Sequence, residues 1–103
     1  MEHDFEGRDI GAGITIIRLR TDEVGAGPNL HQHPYRETIV ILHGSARFTI
    51  GDQEREGTAG DVLVIPASTP HKFAVLGPGT YEAVDIHESD HFITEWLERD
   101  DAS

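Results

Sequence analysis

The chain has 103 residues, no cysteine, and 19 acidic against 8 basic residues, for a net charge of −11. That length fits one domain, residues 1–103, with one modest core. The charge argues against phosphate backbones and anionic membranes as partners, and the lack of cysteine excludes disulfides and thiolate metal sites.

The opening residues, Met1 to Glu6, are acidic where a signal peptide is basic and then apolar. No apolar run approaches the roughly 18 residues of a membrane span. The expectation is a soluble cytoplasmic protein.

The apolar runs that follow are short and β-branched. Ile14 to Arg20 reads as a strand, as does Thr38 to Leu42. Ala46 to Ile50 alternates apolar and polar residues, and Gly51-Asp52 after it signals a two-residue hairpin with a return strand over about Gln53 to Glu56. Gly57 and Gly60 punctuate the next turn. Asp61 to Ile65 is stopped by Pro66, Pro70 precedes His71 to Leu76, and Thr80 to His87 is the last strand. From residue 89 the period changes: Phe92, Ile93, Trp96 and Leu97 fall on one helical stripe behind Ser89 or Asp90 as N-cap. Many short strands at this spacing predict an all-β sandwich or barrel over about residues 10–88, followed by a short C-terminal helix over about 89–99. Ile39 to Leu42 and Val62 to Ile65 are apolar at odd and even positions alike, so both faces of these strands need a cover. The short helix is a poor cover, which favours a second copy of the chain, a homodimer.

The chemistry is concentrated in the stretch from Gly25 to Gly44. His31, His33 and Glu37 share parity on extended backbone, and Ile39 and Ile41 continue that parity into the core, although Pro34 interrupts the run. An unpaired carboxylate on an inward face costs several kcal/mol. A divalent cation removes that cost, because it is the counter-charge for Glu37 and the partner of two neutral imidazoles. His71, re-entering after Pro66 and Pro70, is the best fourth ligand if its strand runs beside the first motif.

The spacing of Gly25, His31, His33, Glu37 and Gly44 is similar to the first motif of the cupins, and Gly60, Pro66 and His71 resemble the second. A chance match to the first motif is rarer than about one in a thousand for this composition. Ser68 stands where many cupins have glycine, and Val75 where many have asparagine. The resemblance covers about half the chain. It implies an antiparallel jelly-roll (double-stranded β-helix) barrel, dimers, and one divalent metal ion as cofactor, held by His31, His33, Glu37 and His71. The ion is Fe, Mn, Ni or Zn.

The resemblance fixes no single reaction, since function does not follow from fold. Three imidazoles and a carboxylate leave up to two open positions on an octahedral ion, which suits a dioxygenase- or isomerase-type enzyme acting on a small organic molecule. The alternatives are a non-catalytic small-ligand or sugar-binding module and a purely structural metal site. The acid/base residue is unknown. His43, with inward parity, and Tyr35 are weak catalytic candidates, and Tyr35 and Arg36 are candidates for the pocket mouth. His87 reads as a structural histidine, His3 and His91 as surface residues, and Phe48, Phe73 and Trp96 as packing. No phosphate loop, CxxC or nucleophile triad stands out.

Overall fold

A computed structural model describes residues 2–98. Ten strands and one short helix run in the order β1 (Glu2–Phe5), α1 (Gly7–Ile10), β2 (Thr15–Thr21), β3 (His31–Gln32), β4 (Glu37–His43), β5 (Ser45–Ile50), β6 (Gln53–Thr58), β7 (Val62–Ile65), β8 (His71–Leu76), β9 (Tyr81–His87) and β10 (Glu95–Trp96). They form two antiparallel five-stranded sheets, β1-β2-β9-β4-β7 and β10-β3-β8-β5-β6. The architecture is all-β, as expected, in two layers. No helix among the described residues is long and apolar enough to cross a membrane.

Period-two patterning sets the layers. β9 is the clearest case: Tyr81, Ala83, Asp85 and His87 point inward while the residues between them are only half-buried. The first two inward residues are apolar or aromatic and the last two are polar. β4 shows the same division, with Glu37 at one end and Ile39 and Ile41 beyond it. On β8, His71 precedes Phe73 and Val75. Each strand thus gives one end of its inward face to the hydrophobic core and the other to a polar site. The core joins Ile39, Ile41, Phe48, Leu63, Ile65 and Val75 between the sheets. Burying one such side chain contributes about 1.5–3 kcal/mol. Gly57 of β6 faces this core, and a Cβ there would sit 2.7 Å from Ile41 Cδ1 and 2.9 Å from Phe48 Cε2.

The β5–β6 hairpin closes with Ile50 opposite Gln53, as Gly51-Asp52 predicts. Gly44 has φ +74°, and a Cβ there would lie 2.5 Å from the Thr80 carbonyl oxygen, so the turn between β4 and β5 excludes a side chain on two counts. Ser68 also adopts a positive φ, +58°. The left-handed turn before β8 therefore forms without glycine, and the Ser68 N–H donates to the His33 carbonyl at 2.7 Å.

Two expectations are corrected. The C-terminal helix over about 89–99 is not formed within the described residues, and position 99 lies outside them. Residues 92–94 are irregular, and Glu95–Trp96 pair as β10 with Gln32 and His31 of β3. Strand pairing overrides the helical stripe: the backbone N–H groups of Leu97 and Glu98 both donate to the Leu30 carbonyl, and Ile93 and Leu97 stay exposed instead of forming a buried face. His43, expected to face inward, is 70% exposed with its ring near Glu82. A β-bulge between Ile41 and His43 shifts the register and turns the last residues of β4 outward. Val62, Val64 and Leu42 lie exposed on the outer face of the first sheet, with no helix over them.

Candidate metal centre

Strand register brings the predicted residues together. His31 of β3 pairs directly with His71 of β8, which places both rings on one face of the second sheet. Glu37 of β4 pairs with His87 of β9 on the facing sheet. His33 follows β3 at the same parity as His31. Donor atoms of His31, His33, Glu37 and His71 all lie within 4.8 Å of one another, and all four residues are buried. Glu37 Oε1 is 3.3 Å from His33 Nε2 and 3.3 Å from His71 Nε2. Donors around an ion with bonds of about 2.1 Å sit about 3 Å apart when adjacent and about 4 Å apart when opposite. The two 3.3 Å approaches are close to the adjacent spacing, and the four donors together span up to 4.8 Å, slightly wider than a bound ion requires.

The remaining ring nitrogens fix the tautomers. His31 Nδ1 donates to the Asn29 carbonyl at 2.8 Å, His71 Nδ1 to the Thr69 carbonyl at 2.8 Å, and His33 Nδ1 to the Ile93 carbonyl at 2.9 Å. A carbonyl only accepts, so each Nδ1 carries a proton, and in a neutral ring that leaves Nε2 as a bare lone pair turned inward. His33 Nε2, His71 Nε2 and Glu37 Oε1 have no hydrogen-bond partner. The 3.3 Å approaches to Glu37 are therefore lone pair against carboxylate rather than hydrogen bonds, unless protons or a cation intervene. Burial works to raise the Glu37 carboxyl. Positive charge on His33, His71 and His87 would more than offset that and hold it well below the carboxylate range. Burial keeps the His87 ring neutral at pH 7, so a proton there is a poor source of that charge. A divalent cation is a better one, and the donor set fits it.

Two inward residues of β9 complete the site. His87 is buried, its Nε2 is 3.6 Å from Glu37 Oε1, and its Nδ1 is 2.7 Å from the Tyr35 hydroxyl. That hydroxyl also accepts from the Ile93 N–H at 3.4 Å. His87 Nε2 faces Glu37 without a hydrogen-bond partner. Burial lowers the His87 pKa to about 4, so the ring is neutral at pH 7. Asp85, 6% exposed, lies two residues up the strand with Oδ1 unpartnered. Burial, reinforced by the Glu37 charge, pushes its carboxyl well above the usual range.

A cavity of about 560 Å³ opens from the four donors, lined by Ile17, Ile39, Phe73, Asp85, Phe92 and Trp96 among others. Trp96 and Phe73, expected only to pack, thus help wall it. Trp96 also lies against His31, ring centroids 5.0 Å apart. Tyr35 is not at the mouth. It stacks on His33 at 5.0 Å, behind the site. Arg36 is exposed and paired with Glu88, and His43 is outside the cavity. Asp85 went unrecognised in the sequence, although its parity with Tyr81 and Ala83 carried the signal; His87, read there as a structural histidine, is buried beside Glu37.

A profile of the Cupin domain family matches residues 18–92. No curated protein matches the sequence. Among solved structures, oxalate decarboxylase from Bacillus subtilis superposes with a TM-score of 0.81 at 24% identity, covering 93% of this chain and 27% of that one. A further structure of that enzyme, from work on its Mn(II) centres, gives the same values. Oxalate decarboxylase from Lactobacillus farciminis, in a formate complex, has a TM-score of 0.82 at 18% identity, covering 93% and 30%. The chain spans under a third of the length of these proteins, and at this identity the likeness establishes the fold.

Proposed function

This chain belongs to the cupin family, and from that premise we propose that it is a divalent-metal-binding cupin acting as a non-haem metal enzyme, of dioxygenase or isomerase type, on a small organic molecule. The observation that carries the proposal is the convergence of bare imidazole nitrogens and a carboxylate oxygen in one buried spot, with every imidazole proton engaged elsewhere. His31, His33, Glu37 and His71 would hold the ion. Fe, Mn, Ni and Zn all suit a nitrogen and oxygen donor set, and a bound ion supplies Lewis acidity or, as Fe(II), dioxygen chemistry.

The other residues support the site in distinct ways. Three backbone carbonyls orient the rings, which raises their basicity toward a metal. His87 packs its buried ring beside Glu37. Ile39, Phe73 and Phe92 keep water from the inner wall. The two sheets fit the halves of a jelly-roll barrel. The exposed Val62 and Val64 on β7, an edge strand, suit a homodimer built on that face. A cysteine-free chain suits a reducing cytoplasm.

Elemental analysis of freshly purified protein tests the metal. Dioxygen uptake and product detection with a panel of small organic acids, amines and phenols test the chemistry. Turnover tied to one substrate supports an enzyme. Tight binding without turnover supports a non-catalytic binding module instead, and protein that takes up no metal ion overturns the proposal.

A further inference from the structure

The far end of the cavity differs in character from the metal end. In the first sheet, Asp4 of β1, Ile17 of β2, Asp85 of β9 and Ile39 of β4 lie in one cross-strand row and all line the cavity. Glu2 and Glu23 join them at its rim. Every fully charged side chain lining this cavity is acidic, and no lysine or arginine is among the described residues that line it. Asp85 stands apart from the exposed carboxylates at the rim. It is buried, its Oδ1 has no partner, and it sits on the cavity wall about 7 Å along the strand from His87 and the metal end. A buried, unpartnered carboxyl is costly, and natural proteins keep few of them.

We infer that the cavity takes a ligand which sets an ammonium group against Asp85 and an oxygen donor toward the His31, His33, Glu37 and His71 end, and that it disfavours a dicarboxylate long enough to reach Asp85. This rests on the metal reading above. An ammonium group gives Asp85 the partner it lacks and meets the acidic rim with opposite charge. The metal end, where a divalent ion outweighs the single Glu37 charge, accepts an anionic oxygen. A second carboxylate at the far end finds no basic residue and faces like charge. A dicarboxylate long enough to set its second group against Asp85 therefore does not suit the cavity.

Three probes of similar length isolate the far end, because each offers one carboxylate to the metal. They are 4-aminobutanoate, butanoate and glutarate, titrated calorimetrically into Mn(II)-loaded protein whose metal content has been measured. The expected order of affinity is 4-aminobutanoate, then butanoate, then glutarate, with at least about tenfold between first and last. In Asp85→Asn, which keeps the shape, and in Asp85→Ala, that spread falls to about threefold or less while bound metal is unchanged. Glutarate binding as tightly as 4-aminobutanoate overturns the inference. So does an undiminished preference in both variants, or a metal-loaded protein that binds none of the three. A wild-type protein that takes up no Mn(II) or other divalent ion overturns the metal reading itself, and the elemental analysis distinguishes that failure from the others.

Discussion

Glu37→Gln separates a metal ligand from a structural ion-pair partner, because the two roles predict opposite signs in metal-free protein. Glu37 is 5% exposed, with His33 and His71 Nε2 each 3.3 Å from its Oε1 and His87 Nε2 at 3.6 Å. At a metal concentration one hundred times Kd, binding to the folded state alone stabilises wild type by about 2.7 kcal/mol. For a domain near this size, 1 kcal/mol moves Tm by about 4–8 °C, so the wild-type shift against chelator is about 11–22 °C. Residues that merely brace metal ligands cost up to about a hundredfold in affinity, so loss of the only charged donor costs at least that. At the same metal concentration the variant then sits no better than at its own Kd, where stabilisation is about 0.4 kcal/mol and the shift about 2–3 °C. In metal-free protein, the substitution removes an uncompensated buried charge, and the variant is as stable as wild type or more so by about 1 kcal/mol. If Glu37 instead paired with protonated imidazoles, its removal would cost about 3–5 kcal/mol with no metal present. Thermal unfolding with and without chelator, alongside elemental analysis, reads all four states. A Gln variant that keeps the full metal shift, or loses several kcal/mol in chelator, refutes the reasoning.

Acid sensitivity follows from His87. Its folded pKa of about 4 lies below the ordinary 6.5, so the unfolded chain binds the proton first as pH falls. Its effect is absent above pH 6.5 and grows to a penalty of up to about 3 kcal/mol near pH 4. Urea unfolding in chelator should therefore lose less stability between pH 7 and 4.5 in His87→Gln than in wild type, and equal losses would contradict the assigned environment. Gly57→Ala crowds Ile41, Phe48 and Leu63 and should lower stability by about 1–3 kcal/mol while leaving metal stoichiometry intact; an unchanged urea midpoint would show that the core has slack. On a sizing column the wild-type chain should run as a dimer and Val64→Lys as a monomer, and a wild-type monomer removes the dimer proposal.

Most of the strand order and one end of the site were legible in the chain. Short β-branched runs separated by Gly, Pro and Asp marked β2 and β4 to β9, because period-two burial leaves a direct trace in composition. His31, His33 and Glu37 were readable for the same reason: strand parity aims them together, and the structure adds the register of β3 against β8 that delivers His71. β1, β3, β10 and the short α1 left no such trace. They are two to four residues long and owe their conformation to neighbours. The C-terminal segment misled because its apolar spacing suits a helix, while Leu30, Gln32 and His31 offer backbone partners that no local pattern reveals. His43 misled because a bulge cancels parity. Asp85 was present in the alternation of β9, yet a carboxyl two residues from a histidine in an apolar strand declares itself only when the opposing Glu37 is known.

The strap formed by residues 92–98 does two jobs at once. Phe92 and Trp96 wall the cavity, while the Ile93 carbonyl grips His33 and Trp96 leans on His31. Whatever enters by displacing this segment also loosens two of the rings at the centre. Occupancy at the mouth and occupancy at the centre are thereby thermodynamically linked, and each must change the affinity of the other by the same factor.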